Sequence, residues 1–144
     1  KKGAFDSSIF VGSTINTPSM LAVEDYIDAL NWSKSIGGLN GLMERSNANL
    51  NVLKKYVSEN DFIDFLATDE STISNTSICL SLNGVDGDQI KSMTKLLEEN
   101  DVAYDIGAYR DAPPGLRIWG GATVEPSDME KLMPWLTWAY NEVK

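Results

Sequence analysis

Two of the chain's three arginines, Arg110 and Arg117, stand on either side of Pro113-Pro114-Gly115. The two prolines forbid a helix there and remove two backbone donors, so the chain must turn or run extended. Leu116-Arg117-Ile118-Trp119 then alternates side-chain character as a short strand does, which directs Arg117 away from the face of Leu116 and Ile118. Gly120-Gly121 ends that strand and permits a close backbone approach. A guanidinium fixed between a constrained turn and a glycine pair suits a planar anion such as a carboxylate. A second reading stands beside it, in which Arg117 pairs with one of the nearby acids.

The elements that must hold this segment follow from periodicity. Thr17 reads as an N-cap with Pro18 at the first helical position. Met20, Val23, Ile27 and Leu30 continue that helix to about Ser35, and Gly37-Gly38 stops it. Asn16 and Thr17 would then lie where free N–H groups and the helix dipole favour an anion, although on these residues alone an ordinary capped helix is the better explanation. Ile9-Phe10-Val11 reads as the end of a strand or an extended lead. A second, long helix carries Leu39, Leu42/Met43, Ser46, Leu50, Leu53 and Val57 on one stripe. Its other face, with Glu44, Asn47, Asn51 and Lys54-Lys55, reads as solvated. Beyond Asn60 the period shortens. Phe62–Leu66 and Thr76–Leu82 are expected strands, followed by a helix capped by Asp86 or Asp88. Val102–Ile106 and Leu116–Trp119 are the expected third and fourth strands. A last helix begins at Pro126 with Met129, Leu132, Met133, Leu136 and Tyr140 on one face. The prediction is a two-layer α/β (α+β) fold, a small four-stranded mixed or antiparallel sheet covered by helices.

Composition narrows the function classes. The chain has 144 residues, 42% hydrophobic, with four tryptophans, enough for a packed core. Its net charge of −9 argues against nucleic-acid or anionic-membrane partners. The absence of histidine and the single cysteine, Cys79, remove zinc sites of the usual kind, histidine triads and disulfide frameworks, so no metal site is expected. Cys79 is expected to be a small core residue, and a lone thiol fits a reducing cytoplasm.

Thr14-Ile-Asn-Thr-Pro-Ser-Met-Leu-Ala-Val-Glu-Asp25, Gly37-Gly-Leu39, Arg45-Ser46 and the run Ala103–Glu125 together resemble the phosphoserine aminotransferase branch of the class V, fold-type-I pyridoxal-phosphate enzymes. The resemblance covers nearly the whole chain. It implies transfer of an amino group between glutamate and 3-phosphohydroxypyruvate in a cytoplasmic homodimer acting on small amino acids and keto acids. It places Asn16 and Thr17 on the cofactor phosphate of the neighbouring subunit and Arg117 on the substrate α-carboxylate. Arg110 is expected to pair with Asp105 or Asp111 or to touch the substrate phosphate. Residues 1–36 would be the end of a large-domain segment with its connecting helix, and 37–144 the small C-terminal domain. In that family the Schiff-base lysine precedes the Asn-Thr-Pro motif. The chain is therefore expected to be a C-terminal portion, inactive alone. A free-standing binding module and another class V activity, such as a serine-pyruvate type, are the alternatives.

Overall fold

A computed structural model describes residues 3 and 5–144, which divide into two units, Lys1–Leu39 and Asn40–Lys144.

In the first unit, Ser7–Val11 forms a 3-10 turn rather than an extended lead. The Asp6 carboxylate accepts from the Ser8 N–H, and Gly12 closes the turn at φ 89°, a conformation glycine adopts without a Cβ penalty. Helix α1 spans Met20–Ser35 and its cap is Ser19, not Thr17. The Ser19 hydroxyl accepts from the Ala22 N–H at 3.4 Å, and its carbonyl accepts from Val23. Pro18 thus precedes the cap. Hydroxyl residues stand on both sides of this proline, so local chemistry permitted either start. Gly37 and Gly38, both at positive φ, end the helix. None of the described residues of this unit is buried.

The second unit contains helix α2 (Gly38–Ser58, whose first residues precede the unit), strands β1 (Ile63–Phe65) and β2 (Ser77–Leu82), helix α3 (Gly87–Glu99), strand β3 (Leu116–Trp119) and helix α4 (Pro126–Val143). The strands pair in the order β1-β2-β3, all antiparallel. Strand parity puts Ile63, Ile78, Leu80, Leu82, Leu116 and Ile118 on the buried face. They form one core with Leu50 and Leu53 of α2, Met93 and Leu97 of α3, and Met133 and Leu136 of α4. Burying a side chain such as Leu53 or Leu136 contributes about 1.5–3 kcal/mol. Asp86 caps α3 in a full capping box, accepting from the N–H groups of Asp88 and Gln89 while the Gln89 side chain accepts from the Asp86 N–H.

Three expectations are corrected. Among the described residues the sheet has three strands, not four, and no parallel pair. Val102–Ile106 fails as a strand because Asp101 and Asp105 take φ of 54° and 51°, left-handed values that break an extended ladder. What remains is a single bridge, Gly107 to Leu116, and the Arg117 N–H donating to the Ile106 carbonyl at 2.8 Å. Cys79 is not in the core. It shares the parity of Ser77 and Ser81 and stands half-buried on the opposite face, paired with Arg117 across the β2–β3 ladder. On α2 the inward stripe is Ser46, Asn49, Leu50, Leu53 and Tyr56, while Leu39 and Met43 are exposed.

Candidate functional site

The sheet face turned away from the core carries Arg117 and Trp119 of β3, Ser77 and Cys79 of β2, and Asp64 of β1. Arg117 is the only cation among these strand residues, and its side chain is 23% exposed. The backbone before it crosses close to β2. A Cβ on Gly115 would come within 2.2 Å of the Leu80 carbonyl oxygen, so this close crossing demands glycine.

Three neighbours define the guanidinium. Its Nη2 donates to the Asp105 carboxylate at 2.9 Å and to the Asp105 backbone carbonyl at 3.2 Å. Its Cζ lies over the Tyr109 ring, 4.7 Å from the centroid, a cation–π distance. The Tyr109 hydroxyl is in turn hydrogen-bonded to the Ser77 hydroxyl at 2.8 Å, which ties that ring to β2. The Asp105 hydrogen bond pushes the Arg117 pKa up further, so the group is a permanent cation. Its Nε is buried without a hydrogen-bond partner. The pairing of Arg117 with a nearby acid, the second of the two sequence readings, is thus present, and it leaves part of the donor fork unused. A cleft of about 340 Å³ opens beside Arg117, with Asp105, Ile106, Trp119, Val124 and Met129 among its walls.

Helix α2 holds the far end of β3. Asn49, fully buried, directs its Nδ2 at the carbonyls of Gly120 (3.0 Å), Gly121 (3.2 Å) and Val124 (3.0 Å). One turn earlier, the Arg45 Nε donates to the Ala122 carbonyl at 2.6 Å, and its Nη2 pairs with Glu125. The close approach expected at the glycine pair is made to these side chains and to Trp119, whose ring leaves no room for a Cβ on Gly121. Asn49 carries no motif in the sequence, and Arg45 stands there only within a family motif. A buried asparagine on an apolar helical stripe gives one usable signal, its position one turn before Leu53.

Arg110 is exposed in the turn before the prolines and makes no ion pair among the described residues. Asp105, one of its expected partners, is taken by Arg117. In the first unit, Asn16 and Thr17 are exposed and precede the Ser19 cap, outside the helix. The Thr14 hydroxyl donates to the Asn16 carbonyl at 2.7 Å, which shapes this approach to α1 and leaves the amide and hydroxyl side chains outward. Among the described residues, no group of three or more metal-ligating side chains could hold an ion, and no helix is long and apolar enough to cross a membrane.

No family model matches the chain. Over all 144 residues it is 51% identical to the phosphoserine aminotransferase of Methanosarcina barkeri strain Fusaro and 50% identical to that of Methanosarcina mazei, and it spans 39% of the length of each. The solved phosphoserine aminotransferase of Bacillus circulans subsp. alkalophilus superimposes on 96% of the chain with a TM-score of 0.82 at 18% identity, over 37% of its own length. A second phosphoserine aminotransferase structure, which records radiation damage of its Schiff base, covers 93% of the chain with a TM-score of 0.79 at 16% identity. The resemblance carried by the Asn-Thr-Pro motif and the Ala103–Glu125 run is therefore borne out: in sequence over its whole length, and in fold, this chain is similar to a 39% portion of phosphoserine aminotransferases.

Proposed function

We propose that the chain is the C-terminal part of a pyridoxal-phosphate-dependent phosphoserine aminotransferase, a cytoplasmic homodimer when complete, and that Arg117 binds the α-carboxylate of its substrates. The complete enzyme would exchange an amino group between glutamate and 3-phosphohydroxypyruvate. The observation that carries this reading is the placement of Arg117. It is a permanent cation on the uncovered sheet face, stacked on Tyr109, with donor capacity left over and a cleft beside it. A planar fork held in this way matches a carboxylate with two parallel N–H···O bonds, where a lysine offers only a point charge. Gly115 and the Asn49 and Arg45 contacts keep β3 in place, so little side-chain freedom is left to lose on binding.

Asn16 and Thr17 would hold the cofactor phosphate across the dimer. Their exposed amide and hydroxyl donors fit phosphate oxygens. The rest of the cofactor finds no setting among the described residues, where every lysine is exposed or, at Lys54, half-buried and paired with Glu70. Bound pyridoxal phosphate supplies the electron sink of transamination, and the chain's own part is to bind and orient the acid. Arg110, exposed and without an ion pair among the described residues, would face the substrate phosphate.

Arg117→Lys in the complete enzyme tests the reading. Losing the fork while keeping the charge should cost about 1.5–3 kcal/mol, roughly 10- to 150-fold in catalytic efficiency with both glutamate and phosphoserine. Cofactor content and folding should be retained. Near-normal efficiency with both donors would place the carboxylate site elsewhere. The 144-residue chain should show no turnover in the same assay.

A further inference from the structure

The side chain that holds Arg117 is itself a carboxylate, and it approaches from solvent. The Asp105 side chain is 92% exposed, against 23% for Arg117. We propose that the Asp105 carboxylate is an internal occupant of the Arg117 anion site, which a substrate carboxylate must displace, so that Asp105 sets the concentration at which acids bind. This rests on the reading of Arg117 as the carboxylate site.

The geometry separates the occupant from its support. The Asp105 backbone is fixed, because the neighbouring Ile106 carbonyl accepts the Arg117 N–H and Gly107 bridges to Leu116. The Asp105 carbonyl on Nη2 and the Tyr109 ring under the guanidinium are likewise independent of the carboxylate. Only the exposed carboxylate has to swing away, by rotation about its own side-chain bonds, and the guanidinium then keeps its place. Asp105 reaches a single nitrogen, Nη2, through one oxygen. A free carboxylate is not tethered in this way and can span two nitrogens of the fork. A carboxylate that is 92% exposed and bonded through one oxygen is a weak competitor. A bidentate ligand therefore wins, but against an opposing charge at every binding event.

The test uses Asp105→Asn and Asp105→Gly in the complete aminotransferase. Both replacements accept the left-handed backbone at this position, so folding should survive. With the competing charge gone, the KM for glutamate and the inhibition constant of glutarate, a non-reacting dicarboxylate, should each fall about two- to fivefold at unchanged kcat. A merely supporting role would move both constants upward. Unchanged or raised constants in the two variants would overturn the proposal. Arg117→Lys serves as the control. If it loses glutarate binding while the Asp105 variants do not tighten it, only the Asp105 proposal fails. If it binds glutarate as the parent does, the reading of Arg117 fails with it.

Discussion

Two helices with comparable apolar spacing meet different fates. Helix α1 repeats Met20, Val23, Ile27 and Leu30, yet all four are exposed and none of its side chains is buried. Helix α2 repeats Ser46, Leu50 and Leu53, with Asn49 and Tyr56 beside them, and all five are buried. The difference lies in what is opposite them. The unit Asn40–Lys144 holds a sheet whose inner face supplies Ile63, Ile78, Leu80, Leu116 and Ile118 to the α2 stripe, whereas the described residues up to Leu39 include no strand. Amphipathic spacing marks a helix that can be buried. A complementary surface decides whether it is.

The sharpest way to break the comparison is to truncate one apolar residue in each helix. Leu53→Ala should destabilise the 144-residue chain by about 2–5 kcal/mol in urea unfolding, because a fully buried leucine leaves a cavity. Ile27→Ala should cost no more than about 0.5 kcal/mol, since Ile27 is 43% exposed and belongs to no buried cluster. Equal effects would mean that the two units share one cooperative core.

A smaller effect separates polar from apolar burial inside α2. Asn49→Ala should cost about 1–3 kcal/mol, because three backbone carbonyls lose their donor. The intrinsic fluorescence should change as well, since Trp119 packs on Gly121 within the loop that Asn49 holds. Destabilisation without any fluorescence change would show that the loop keeps its place unaided.

The smallest effect concerns pH. Tyr56 shares a 2.7 Å hydrogen bond with Thr137, and burial pushes its phenol pKa above the ordinary value near 10. With the folded pKa raised, the contribution is complete below the unfolded value. It is lost as pH climbs through the folded one, because the unfolded chain ionises first. Unfolding at pH 8 and above pH 10 should reveal this alkaline loss in the parent and a shallower one in Tyr56→Phe. No difference in slope between the two would assign the alkaline loss to other groups.

Much of this could be read from local chemistry. The alternation around Arg117, the start of α4 at Pro126 and the Asp86 cap all depend on residues within four positions of each other, and all hold. The core placement of Cys79 fails against the same kind of local signal, since Ser77 and Ser81 share its parity and Ile78, Leu80 and Leu82 do not. The Asn49 and Arg45 contacts were not legible, because their partners lie 71 to 80 residues away and a polar residue on a helix reads first as solvated. The failed strand at Val102–Ile106 has the same character. Nothing in its apolar pattern announces that Asp101 and Asp105 will turn left-handed, and aspartate tolerates that conformation without requiring it.

Those two aspartates have a consequence for the protein's neighbours in solution. A free strand edge invites pairing with other chains. At β3 the outward N–H of Arg117 already has the Ile106 carbonyl, and Leu116 has its bridge to Gly107. The covering segment is kinked on both sides of Tyr104 and carries charge, so it offers no regular ladder of its own. It caps the sheet without extending it. The edge nearest Arg117 is thereby guarded against intermolecular β-pairing and aggregation, by a segment too irregular to become a template itself.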